Sequence, residues 1–150
     1  MALKLGAIVS AAILAAGSLS NASAQSPQQQ ANIMRITLSV EGQVLSATLD
    51  DTQTSRDFVS LLPLTITLKD YASTAKISDL PKRLSTAGAP EGTDPSIGDI
   101  AYYAQWGNLA IFYRDWGYGR GLIKLGKLDS GIEMLQRPGP LQATIALSPK

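Results

Sequence analysis

Residues 34–49 read MRITLSVEGQVLSATL, and this stretch decides the fold. Met34, Ile36, Leu38 and Val40 alternate with Arg35, Thr37 and Ser39, the period-2 pattern of a half-buried strand. Glu41-Gly42 supplies a two-residue turn. Pairing Val40 with Gln43 across it sets Leu38 opposite Leu45, Ile36 opposite Ala47 and Met34 opposite Leu49. The apolar residues other than Val40 and Val44 then share one face, so turn length and pattern agree on one antiparallel hairpin.

Outward from this hairpin, the same alternation returns at Leu141, Ala143, Ile145 and Leu147, which predicts a closing strand after the helix breaker Pro138-Gly139-Pro140. Thr54 and Asp57 suggest a capping box for a short helix carrying Phe58, Leu61 and Leu62, ended by Pro63. Leu64, Ile66 and Leu68 form a third strand with a threonine-rich opposite face. The segment Asp70 to Gly98 holds Pro81, Pro90 and Pro95 and little periodicity, so it reads as a long functional or mobile loop with one helical turn at Lys76 to Leu80. Asp99 to Ala104 and Leu109 to Tyr113 are predicted strands joined through Gln105-Trp106-Gly107-Asn108. Leu122 to Leu128 is another, in which Gly126 predicts a bulge or a close backbone approach. Ser130 to Gln136 suits a second short helix. At least six strands and two short helices make a mainly β chain that is closed, or nearly closed, into a barrel, since closure removes exposed edges.

Upstream, Lys4, the small and apolar run Leu5 to Gly17, and Ala22-Ser23-Ala24 have the order of a secretory signal peptide. Thirteen residues are short of the about 20 that a membrane-spanning helix needs. Residues 1–24 are therefore expected to be removed near Ala24, and residues 25–32, with Gln28-Gln29-Gln30 and Pro27, to form a disordered leader to a domain over residues 33–150. The product is expected in the periplasm or secreted, without a membrane anchor. Loss of Lys4 leaves twelve basic and twelve acidic residues, a balance that argues against nucleic acid as partner. The chain has neither histidine nor cysteine. It can build no Ser-His-Asp triad, no cysteine nucleophile and no ordinary zinc site. Asp50, Asp51, Asp94, Asp99 and Asp115 fit no calcium loop, and Gly117 to Gly121 lacks the features of a phosphate loop. Neither metal nor cofactor is expected.

Seven of the nine aromatic residues lie between Tyr102 and Tyr118. Trp106, Trp116 and Tyr118 fall in predicted loops beside Arg114 and Arg120, a composition suited to a peptide or a small planar or anionic ligand. The alternative is that these loops fold back and plug the barrel mouth.

Residues 122–135, with a glycine inside an apolar strand and a second glycine five residues later before a helix, resemble the corresponding cyclophilin segment. Gly98-Asp99-Ile100 to Ile111-Phe112-Tyr113 resembles the cyclophilin hairpin before it. Gly98-Asp99-Ile100-Ala101-Tyr102-Tyr103 and Trp106-Gly107-Asn108-Leu109 are similar to bacterial exported cyclophilin-like proteins of unassigned activity. The resemblance implies a closed eight-stranded β-barrel with two short helices. It places Phe112 where cyclophilins pack the substrate proline, and Trp116 within one residue of their pocket tryptophan. It also places Leu122 where they carry a histidine. The strand expected to supply the amide-polarising arginine has Thr65, Thr67 and Lys69 instead, and Arg83 is a candidate for that charge.

The leading expectation is a binding module for a peptide or small molecule, with Phe112, Trp116, Tyr118, Trp106, Arg114 and Arg120 at one end of the barrel. A weak prolyl isomerase and a structural subunit are the competing readings, and the sequence fixes no oligomeric state.

Overall fold

The computed structural model describes residues 33–150, together with Gly6 and Gly17. The chain divides between residues 1–30 and 31–150, and the fold is that of the second part. The expected signal peptide and leader lie outside the described residues.

The opening hairpin has the expected register. β1 (Met34–Val40) and β2 (Gln43–Leu49) pair Val40 with Gln43, Leu38 with Leu45 and Ile36 with Ala47. Glu41 (φ 47°) and Gly42 (φ 80°) both take the left-handed conformation whose twist suits a two-residue hairpin. Ile36, Leu38, Leu45 and Ala47 are buried in the barrel. Val40, expected off this face, is buried on it as well, because alternation from Leu38 returns the chain to the same side, whereas Val44 points to solvent.

Helix α1 (Gln53–Val59) is capped by Thr52, two residues before the predicted cap, whose side chain accepts from the Ser55 N–H. Thr54 is instead buried and donates to Ser85 O (2.7 Å). β3 (Leu64–Tyr71) follows, with Thr65 and Thr67 on a solvent-facing side. The predicted helical turn at Lys76 to Leu80 is a strand, β4 (Ala75–Asp79), because Ala75 and Ile77 face the outer wall while Lys76 enters the interior. The rest of the proline-bearing segment is no open loop either. Leu84 enters the core, its N–H donating to Tyr102 Oη (3.2 Å), and Ser85 N–H donates to Asp57 Oδ2 (2.7 Å). That bond, followed by one from Gln53, holds the Asp57 carboxyl below the usual aspartate range.

A short strand, β5 (Gly92–Thr93), pairs with β8 (Gly119–Arg120) in a separate two-stranded sheet. β6 (Asp99–Tyr103), β7 (Asn108–Phe112), β9 (Leu122–Leu128) and β10 (Leu141–Leu147) complete the barrel, with α2 (Ile132–Leu135) between the last two. The order β1-β10-β3-β4-β7-β6-β9-β2 closes on itself with every neighbour antiparallel. Both expectations at Gly126 hold. The register shifts between Ile100 and Ala101, leaving Leu125 as the bulged residue, and a Cβ on Gly126 would lie 2.2 Å from Thr48 O.

The helices follow antiparallel neighbours β2 and β9, so they sit at opposite mouths. Phe58 of α1 and Met134 and Leu135 of α2 join the core. At the α2 mouth the fully buried Lys76 donates to Arg137 O and Gly139 O (2.7 Å each) and pairs with Asp70 Oδ1 at 2.9 Å, so its three N–H groups are satisfied.

Candidate functional site

β7 is buried on both faces. Leu109 and Ile111 belong to the barrel core, whereas Ala110 and Phe112 join Ala75, Ala101 and Leu122 in a second apolar cluster on the outer wall. The small side chains leave space above them. Ala75 and Ala110 form the floor of a cleft of about 190 Å³, with Phe112 and Leu122 beside them and Tyr71, Tyr103, Trp106 and Trp116 around them.

The aromatic walls hold one another. Trp106 stands edge-on to Tyr103 (centroids 5.0 Å, 89°) and to Tyr71 (5.7 Å, 82°), and Trp116 tilts against Tyr71 (5.7 Å, 54°). These geometries are those aromatic quadrupoles favour. Their outer faces stay in water, since Trp106 is 54% and Trp116 44% exposed. The barrel interior is filled by other side chains, so these loops do not plug a mouth.

Local geometry fixes the frame. Ala72 (φ 50°) and Ser73 (φ 51°) turn β3 into β4 and deliver Tyr71. Thr74 O accepts from the N–H groups of Tyr113 (3.0 Å) and Arg114 (3.1 Å), joining that turn to the start of the Trp116 loop. The far end of the loop is pinned through Gly121, whose N–H donates to Glu91 O (2.7 Å) and whose carbonyl accepts from Ala104 N–H (2.9 Å), and through Gln105 Nε2, which donates to Arg120 O (3.0 Å). Gly121 has φ 85°, and a Cβ there would meet the Gln105 side chain.

Four of the six predicted residues, Phe112, Trp116, Trp106 and Arg120, meet in the cleft. Arg114 and Tyr118 are exposed and line no part of it. The site also stands on the outer wall and not at the expected end of the barrel, because Phe112 lies at an outward position of β7. Arg83 is turned elsewhere, donating to Ala104 O (2.9 Å). The strand beside Phe112 is β4 and not the threonine-rich β3, and Ala75 is its cross-strand partner. Among the lining residues Arg120 alone carries a charge. Tyr71, Asn108, Ala75, Ala110 and Ile77 were not predicted. Asn108 belongs to the Trp106-Gly107-Asn108-Leu109 stretch, but nothing in the sequence marks its side chain as a cleft group.

Behind the floor, Asp70 accepts from Lys76, from Gly139 N–H and from Tyr113 Oη. The Lys76 ammonium, with those two donors, holds the Asp70 carboxyl below the usual range, and burial followed by Asp70 pushes the Tyr113 hydroxyl up.

A closed eight-stranded antiparallel barrel capped by two helices is the architecture of the cyclophilin class. Residues 38–146 match the cyclophilin-like family, and the chain belongs to that family. The solution structure of a hypothetical protein from Archaeoglobus fulgidus is similar over 80% of this chain and 98% of its own, with a TM-score of 0.64 at 14% identity, a likeness of fold. No curated protein matches the sequence.

Proposed function

We propose that this is an exported binding module that takes a peptide side chain or a small molecule of similar size in the outer-wall cleft, without a cofactor. The observation that carries this reading is the pair of half-exposed tryptophans over an apolar floor. Large aromatic faces left in water beside a cleft are a recurrent mark of recognition surfaces. At about 190 Å³ the space falls below the roughly 300–1,000 Å³ of drug-sized pockets, which favours one side chain or one ring system. Lys4, the apolar run and Ala22-Ser23-Ala24 support export.

Prolyl isomerisation is the second reading, favoured by one observation, that Arg120 and Phe112 line the same cleft. Against it, Leu122 stands at the histidine position and Ala75 faces Phe112, and neither donates a hydrogen bond to a twisted amide. The test is titration of the mature protein with proline-containing and aromatic peptides, followed by tryptophan fluorescence. Trp106 and Trp116 are the chain's two tryptophans, so the signal reads the cleft. Saturable quenching or a spectral shift is expected, and a flat titration against all peptides and fragments would remove the reading. An isomerisation assay is expected to give the uncatalysed rate. Acceleration lost on Phe112→Ala would establish the second reading instead.

A further inference from the structure

Asn108 and Arg120 both line the cleft without a side-chain partner among the described residues, and they differ in kind. Asn108 begins β7 on the outer wall and is 3% exposed, and its Oδ1 is buried with no hydrogen-bond partner. Buried acceptors left empty are rare because each sacrifices its hydration without return. Asn108 opposes Tyr103 on one side and Asp79 on the other. With no side-chain partner there, its polarity adds nothing to the fold that an apolar residue of that size would not.

The second group is Arg120. Its backbone is fixed by the β5–β8 pairing and by Gln105, while its side chain is exposed and joins no ion pair among the described residues. The Asn108 acceptor is therefore buried in the wall of the cleft, and Arg120, the charged residue of its lining, has no counter-ion among the described residues. The rings of Tyr71, Tyr103, Trp106 and Trp116 line the same space above the alanine floor. A cavity of about 150 Å³ takes a benzene ring, so about 190 Å³ admits a ring system and little more.

We propose that the cleft binds a planar heteroaromatic anion. A ring N–H donates to Asn108 Oδ1, the ring packs among Trp106, Trp116 and Tyr71 over the alanine floor, and a carboxylate meets Arg120. This assignment rests on the binding reading above and narrows it to a small molecule. No bond is made or broken, and the selectivity lies in the two polar contacts. A ligand without the N–H leaves the acceptor buried and unpaired, whereas one without the anion loses a charge-assisted bond.

The probes are indole-3-acetate, 1-methylindole-3-acetate and indole, measured by calorimetry and by the indole N–H resonances of Trp106 and Trp116. Indole-3-acetate is expected to bind best, with each of the other two weaker by about tenfold or more. Asn108→Leu should erase the difference that ring methylation makes without lowering the melting temperature, and Arg120→Gln should erase the difference that the carboxylate makes. If Asn108→Leu does not fold, the three-probe comparison on the wild type decides alone. Equal binding of the three probes, or no binding of indole-3-acetate, overturns the assignment. The broader binding reading falls only if the peptide titration is silent as well.

Discussion

Ala75 lies directly opposite Phe112 across the β4–β7 ladder, and the two share the outer wall of the barrel. The cleft exists because one member of this cross-strand pair is large and the other small. Ala75→Leu places added carbons into the cleft and not into the barrel core. Ligand binding should be lost while the thermal midpoint moves by only a few degrees. A binding isotherm paired with a melting curve checks this, and retained affinity would show that ligand does not rest on the floor.

Trp116→Ala should weaken binding sharply yet cost under about 1 kcal/mol of stability, since the side chain is 44% exposed and outside the core. Phe58→Ala is the contrast. Its ring is fully buried at the α1 mouth, and its truncation should cost about 3–5 kcal/mol without altering the cleft. Denaturant melts of the two variants, run beside the titration, separate the roles.

Acid stability should depend on Asp70. Its carboxyl is held below the ordinary value of 3.8, first by Lys76, so it titrates lower in the folded chain than in the unfolded one. The sign follows. The unfolded state binds the proton first, so the contribution is complete above the ordinary value and is lost as pH falls through the depressed one. Asp70→Asn should flatten the fall in stability below about pH 4, leaving the share that comes from Asp57, whose carboxyl is also held low. Melting temperatures across an acid series measure the slope, and an unchanged slope would contradict the Lys76–Asp70 account.

Gly126→Ala should destabilise by about 1–3 kcal/mol, the usual cost of overpacking, because the added Cβ would lie 2.2 Å from Thr48 O and 2.7 Å from Leu49 Cα. Neither contact is a flexible side-chain tip that can move aside. Chemical denaturation of the variant gives the number.

Export predicts a mature N-terminus near Gln25, after Ala22-Ser23-Ala24. Intact mass of the secreted or periplasmic protein reads the cleavage point, and recovery of a chain still beginning at Met1 would count against export.

The opening hairpin, the bulge region and the closing strand were legible because burial on one side writes a period of two into the residues. β4 was not. Its inward position is Lys76, and its apolar residues Ala75 and Ile77 face outward, so the pattern is the reverse of a one-sided strand. The two-residue strands β5 and β8 carry no period at all, and their pairing is set by contacts far apart in sequence. The site was half legible for a related reason. Phe112, Trp106 and Trp116 announce themselves as a local aromatic cluster, but Tyr71 reaches them only through the β3–β4 turn. Asn108 is conspicuous only once its oxygen is seen to be buried alone.

The two faces of β7 have separate occupations. Leu109 and Ile111 hold the barrel together, while Asn108, Ala110 and Phe112 shape the cleft. Alternate positions of one strand thus answer to different constraints, the inward ones to the packing of the barrel and the outward ones to the shape of the cleft. The same separation makes Asn108, Ala110 and Phe112 natural positions to randomise in building new receptors on this barrel, with Leu109 and Ile111 left untouched as its foundation.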